Sequence, residues 1–287
     1  MNLGPLEAII LVGLFWATIY SLSLILPLKK YGLQVKPLYL AYKTKRFNIA
    51  LNGVTKRFKR FWLVIWNIGV ASSIGLMIYS MYILISNLIN FFYIPEKAGP
   101  TVLLLPGITI GLQSLPFFLV ALAVVMIPHE VAHGIASRLE NIEIQSAGIL
   151  MVFLLFGAFV EPDEDQLSRA GLVSKARVYG AGSLVNLLTA VSTIIILGIV
   201  RWDLLPLRIA DYLSNQLFWI GLLSLNVAIF NMLPLYPLDG DGFLITLVEA
   251  LKKGSGSKVR VIMSALSFLV LAANATLTFF RFGSYLL

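Results

Sequence analysis

Residues 127–134 read IPHEVAHG and hold both histidines of the 287-residue chain, His129 and His133, with Glu130 between them. Positions i and i+4 of a helix share one face, so both imidazoles can reach a single metal ion. Glu130 is turned by about 100° from His129, near enough to take a proton from a water beside that ion without binding the ion itself. A catalytic zinc ion with three protein ligands keeps one position open and brings the pKa of water there to about 7. The chain has no cysteine, so thiolate sites and disulfides are excluded and the ligands must be His, Asp, Glu or neutral oxygens. A bis-histidine haem fits poorly, because two imidazoles one turn apart cannot take opposite faces of a porphyrin. The run before the motif, SLPFFLVALAVVM, carries no charge. A charged Glu in such a span is unfavourable by roughly 2.5–3.5 kcal/mol, which marks it as a functional group rather than a structural one.

A third ligand must come from the 14 acidic residues. Most fall in aqueous loops, and Glu7 lies at the opposite membrane face, which leaves Asp239, Asp241 and Glu249. Asp239 is favoured because it lies nearest the end of an apolar run and is framed by Pro234, Pro237 and Gly240. Prolines break a helix there and free backbone groups that must line a wet cavity or find partners. Asp241 stays open as the alternative.

These residues need elements to carry them. The chain is 59% hydrophobic with mean hydropathy +0.88, against roughly 45–50% apolar for soluble domains. The fold class this implies is an all-α polytopic membrane protein. Six apolar runs of spanning length stand at about 6–28, 61–85, 115–137, 176–200, 217–237 and 259–280. The first has no basic region before it and Lys29 and Lys30 after it, so it reads as a retained span. Segment 144–160 is too short and too Gly-punctuated for a span and is expected to dip into the membrane or form strands. Segment 86–114 is expected to be a loop or strand pair on the outer face. No stretch is polar enough for a separate soluble domain. The chain is expected to form one domain over 1–287, with two N-terminal spans in 1–100, a catalytic core in 104–242 and a C-terminal span at 259–280.

The net charge of +8 is read as membrane flanks, not as a nucleic-acid surface. Loop 29–60 carries ten Lys or Arg and no acid, and 138–177 and 238–260 carry four basic residues each. The opposite side receives only Lys97, Arg201, Arg208 and Arg281. The resulting 18-to-4 split puts the three basic segments in the cytoplasm. The third and fifth spans then both run inward, bringing the histidines and Asp239 to the same membrane face.

The motifs resemble the site-2 protease family of intramembrane zinc metalloproteases. HEVAH is similar to its HExxH, and NMLPLYPLDG (Asn231, Pro234, Pro237, Asp239, Gly240) to its NxxPxxPxDG. YGAGSLVNLL is similar to the family's central AGPxxN pattern, with Ala181, Gly182 and Asn186 in agreement and Ser183 in place of proline. LPGITI and GILMVFLLFGAFVEP look closest to the branch of the eukaryotic site-2 protease. The resemblance covers about 104–190 and 226–242. It implies Asp239 as the third ligand of one Zn2+ ion, Glu130 as the base, and Asn186 and Asn231 as donors to the substrate backbone or the oxyanion. It also implies hydrolysis of a transmembrane protein substrate in the lipid bilayer near the cytoplasmic face, in regulated intramembrane proteolysis. The loops leave no room for the PDZ or nucleotide-binding modules of many relatives. A transporter or metal sensor would use the same ligands but needs a polar path across the membrane, and the outer halves of spans three to five are nearly free of charge. An inactive scaffold would not need all four of His129, Glu130, His133 and Asp239. A compact cysteine-free chain fits a prokaryotic cell membrane.

Overall fold

The computed structural model describes residues 5–44, 47–102, 104–105 and 109–286; residues 106–108 of LPGITI lie outside these. The long apolar runs form helices, since in a bilayer a helix satisfies every backbone donor and acceptor within one segment. Five described helices are long and apolar enough to cross a membrane. They are α3 (Lys59–Tyr93), α4 (Leu115–Leu139), α6 (Leu172–Ile199), α7 (Leu207–Phe230) and α9 (Gly256–Leu286). Against the expected six, five are found among the described residues; in the first expected run, helix α1 (Pro5–Ile25), the described apolar stretch is Val12–Ile25. The fifth expected run also shifts. Its helix α7 ends at Phe230, because Pro234 and Pro237 forbid continuation.

Between the long helices lie the short helices α2 (Phe47–Arg57), α5 (Glu164–Arg169) and α8 (Asp239–Leu251) and one small sheet. Strands β3 (Ile144–Val152) and β4 (Leu155–Pro162) make a hairpin of the segment expected to dip or form strands. Strands β1 (Leu33–Lys36) and β2 (Tyr39–Thr44) form a second hairpin inside the loop read only as basic. β2 pairs antiparallel with β3, from Tyr39↔Val152 to Thr44↔Ala147, so the order is β1-β2-β3-β4 and β4 is an edge. Glu161 fastens this sheet: one carboxylate oxygen pairs with Lys43 Nζ at 2.5 Å and the other accepts from Ser146 Oγ. The acid run 161–165 is thus partly structural, and Asp163 also caps α5 by accepting from Gln166 N at 2.9 Å.

Helix α6 is central, packing on α3, α4, α7 and α8. It lies close to α3 where Gly180 meets Gly69 and Ser73. At its N-terminal end Arg177 Nη1 pairs with Glu140 Oε1 at 2.7 Å and its Nε donates to Asn67 Oδ1 at 2.9 Å, tying α6 to α4 and α3. Side chains on the outward faces, such as Ile194, Ile195 and Ile199, remain exposed, as lipid-facing positions require. Of segment 86–114, expected to be a loop or strand pair, the first part continues α3 to Tyr93 and Pro95–Lys97 form a 3-10 turn, while the described part of 98–114 is a loop without helix or strand. Asn87 holds it by accepting from Gly99 N at 2.8 Å and donating to Asn274 Oδ1 at 2.9 Å.

Candidate metal centre

Helix α4 runs unbroken through Pro128, and the HExxH residues lead into its most buried stretch, 132–137, which includes His133. His129 and His133 are both buried, and their Nε2 atoms lie 3.1 Å apart. Asp239 arrives from far along the chain. After α7 the backbone folds back on itself, with Gly240 N donating to Asn231 O at 2.8 Å. A Cβ at Gly240 would collide with the backbone of Met232 and Leu233, so only glycine allows this return. The loop leaves Asp239 in the first turn of α8, where the helix N-terminus favours a carboxylate.

Asp239 Oδ2 stands 3.3 Å from His129 Nε2 and 3.0 Å from His133 Nε2. These three residues are the one group of three or more metal-capable side chains among the described residues, with all ligand atoms within 4.8 Å of one another. Three ligands held about 2.0–2.1 Å from one zinc ion at tetrahedral angles would lie roughly 3.3 Å apart. The observed spacings of 3.0 to 3.3 Å match that geometry. His133 Nδ1 donates to Val178 O at 2.7 Å, which leaves the lone pair of its Nε2 pointing into the cluster. The donor set therefore fits a zinc ion. The other acidic candidates are engaged elsewhere: Asp241 pairs with Arg260 Nε at 2.9 Å, and Glu249 accepts from Gly254 N and Gly256 N.

Close approach of α6 makes the cluster possible. A Cβ on Gly182 would stand 2.5 Å from both His129 Nε2 and His133 Nε2. Glycine is required there for helix packing, not for its backbone freedom. Glu130 faces a cavity of about 380 Å³ that it lines with His129, His133, Asn231, Tyr179 and Asp239. The Val160 backbone of β4 is within hydrogen-bonding reach of its carboxylate. An apolar cleft of about 360 Å³ between α4 and the sheet shares Met126 and Ala158 with this cavity. On the other side a wide polar cavity of about 1340 Å³ shares Tyr179 and Pro237 with it.

The two asparagines are both brought to His129, on opposite edges of its ring. Asn231 Nδ2 donates to Asp239 Oδ2 at 2.6 Å and lies 3.0 Å from His129 Nε2. Asn186 has no exposed surface, and its amide lies 2.8 Å from His129 Nδ1, on the edge away from the cluster. Tyr179, Val178 and Val160 carried no signal in the sequence, since two of them act through backbone atoms and the tyrosine is one of 11.

A model of peptidase family M50 matches residues 117–202 and 206–273, more than half of the chain. An uncharacterized protein of Methanocaldococcus jannaschii is 28% identical over 201 residues, which are 68% of this chain and 52% of that protein. A candidate zinc metalloprotease of Chlamydia pneumoniae is 39% identical over 74 residues, 24% of this chain and 12% of that protein. The chain thus spans about half or less of the length of these curated relatives.

Proposed function

The chain belongs to peptidase family M50, and from that premise we propose that it is an intramembrane zinc endopeptidase acting on membrane-embedded protein substrates. The observation that carries this reading is the convergence of His129, His133 and Asp239 beside the cavity-lining Glu130, with the two histidines and the glutamate on a helix of spanning length. His129, His133 and Asp239 would hold the ion. Bound zinc would supply Lewis acidity at the scissile carbonyl and lower the pKa of water toward neutral. Glu130 takes the proton of the attacking water and passes it to the leaving amine. Asn231, the half-buried asparagine on the cavity side, donates to the substrate carbonyl as negative charge develops.

A substrate helix has its carbonyls internally bonded and must unwind before it is cut. The apolar cleft between α4 and the sheet supports entry from lipid, and the edge position of β4 supports holding the unwound segment as an added strand. The polar cavity on the far side supports release of product to water. The 18-to-4 distribution of basic residues supports cleavage near the cytoplasmic face, and regulated intramembrane proteolysis in a prokaryotic cell membrane is the matching role. The chain acts as one domain, with the core of 104–242 braced by the N-terminal helices and α9.

The test is metal content and cleavage measured together on detergent-purified protein. Wild type is expected to retain about one zinc and cut a transmembrane-segment peptide, with chelation abolishing and zinc restoring the cut. Asp239→Ala is expected to lose the zinc and Asp241→Ala to keep it. Cleavage that survives complete removal of metal would end the proposal.

A further inference from the structure

A neutral imidazole has one donor and one acceptor nitrogen. Asn231 Nδ2 donates toward His129 Nε2 at 3.0 Å, so that nitrogen presents its lone pair to the cluster. A metal at the cluster needs the same lone pair. The proton of His129 therefore sits on Nδ1, and Nδ1–H needs an acceptor. What faces it at 2.8 Å is the Asn186 amide nitrogen, a second donor, while Asn186 Oδ1 is buried without any partner. Two amide N–H donors cannot serve both nitrogens of one neutral ring. Rotating the Asn186 amide by 180° removes the donor–donor conflict at Nδ1, since amide oxygen and nitrogen differ only in assignment, and Nδ2 then takes the position Oδ1 held. Oδ1 then accepts from Nδ1–H, and the orphaned oxygen has its partner. His133 has the parallel arrangement, with Val178 O accepting from Nδ1. Helix α6 thus supplies one acceptor per ring, a backbone carbonyl at 178 and a side-chain oxygen at 186.

We propose that Asn186 is a positioning residue for the metal site: through Oδ1 it fixes His129 in the Nδ1–H tautomer and so sets zinc affinity, without touching substrate. The inference rests on the zinc-site reading above. It reassigns Asn186 from the substrate to the ligand, which its lack of exposed surface requires. An acceptor behind a ligating histidine typically contributes 10- to 100-fold in metal affinity.

The experiment uses the full chain in detergent. Zinc affinity is measured by competition with a chromophoric chelator for wild type, Asn186→Asp and Asn186→Leu, and thermal midpoints check folding. The chain's two histidines also allow ring tautomers to be read from side-chain nitrogen resonances of the metal-free protein. The Asp variant keeps the acceptor and is expected to bind zinc within about threefold of wild type or tighter. The Leu variant is expected to bind roughly 10- to 100-fold more weakly. His129 of wild type is expected to be in the Nδ1–H form without metal. Equal loss of zinc by both variants, or wild-type affinity in the Leu variant, overturns the proposal. An Nε2–H tautomer in wild type overturns it even if the Leu variant fails to fold. Absence of zinc binding by wild type, with the Nδ1–H tautomer present, instead strikes the zinc reading and leaves the tautomer assignment standing.

Discussion

Gly182→Ala adds one carbon at the point where α6 touches the histidines. That carbon would stand 2.5 Å from His129 Nε2 and from His133 Nε2, whereas ordinary contact begins at 3.4 Å. Something must retreat by roughly 1 Å. The rings have little freedom to do so, because His133 is bonded to Val178 O and His129 lies between the two asparagines. Helices α4 and α6 must then separate, or the rings must turn away from each other. Overpacking of this kind is unfavourable by about 1–3 kcal/mol, and here it falls on the two atoms that would face a metal ion. Zinc affinity should drop by roughly 5- to 150-fold, at about 1.4 kcal/mol per tenfold. Chelator competition on the detergent-purified variant measures it. Gly221→Ala is the control, since its Cβ would press on Thr193 Oγ1 at 2.5 Å in the α6–α7 contact, away from the cluster. It should reduce thermal stability and leave zinc affinity unchanged. Wild-type affinity in Gly182→Ala, or equal zinc loss in both variants, would refute the argument that α6 is shaped around the histidine pair.

The Glu161 seam gives a pH prediction. Burial acts to raise its carboxyl, but the bonds from Lys43 and Ser146 outweigh that and hold it below the usual carboxylate range. A depressed carboxyl stabilises the fold above its unfolded pKa and ceases to as pH falls through the lower folded value. Glu161→Gln should therefore lower the thermal midpoint at pH 7 and match wild type near pH 2; the pair is partly exposed, so the effect should stay below about 1 kcal/mol. Orientation is tested by adding a cysteine to this cysteine-free chain. A thiol at the exposed position of Asp165 should react with an impermeant maleimide only from the cytoplasmic side, and labelling of intact cells from outside would reverse the proposed topology.

Legibility in the sequence followed the physics of each element. Long apolar runs of spanning length are read by composition alone, so α3, α4, α6 and α9 stood out. The end of α7 did not, since its apolar run continues to 237 while the prolines stop the helix at Phe230. The HExxH face follows from helical periodicity, and the partner Asp239 from the breakers around it. Hairpin β1–β2 was missed because ten basic residues dominate 29–60, masking a short alternation whose stability comes from pairing with β3, over a hundred residues away. Roles of Val178 and Val160 are backbone roles, which side-chain identity does not encode. For Asn186 the sequence pattern marked the position, but only the location of its amide behind His129 indicates what it does.

The central claim is that Glu130 moves protons for hydrolysis at a zinc ion it does not hold. Glu130→Gln keeps the shape and hydrogen-bonding reach of the side chain and removes its basicity. Zinc content and cleavage of a transmembrane-segment substrate, measured on the same detergent preparation, separate the two roles. The account predicts zinc equal to wild type with cleavage reduced by at least about 10²-fold. Cleavage at the wild-type rate by Glu130→Gln would contradict it.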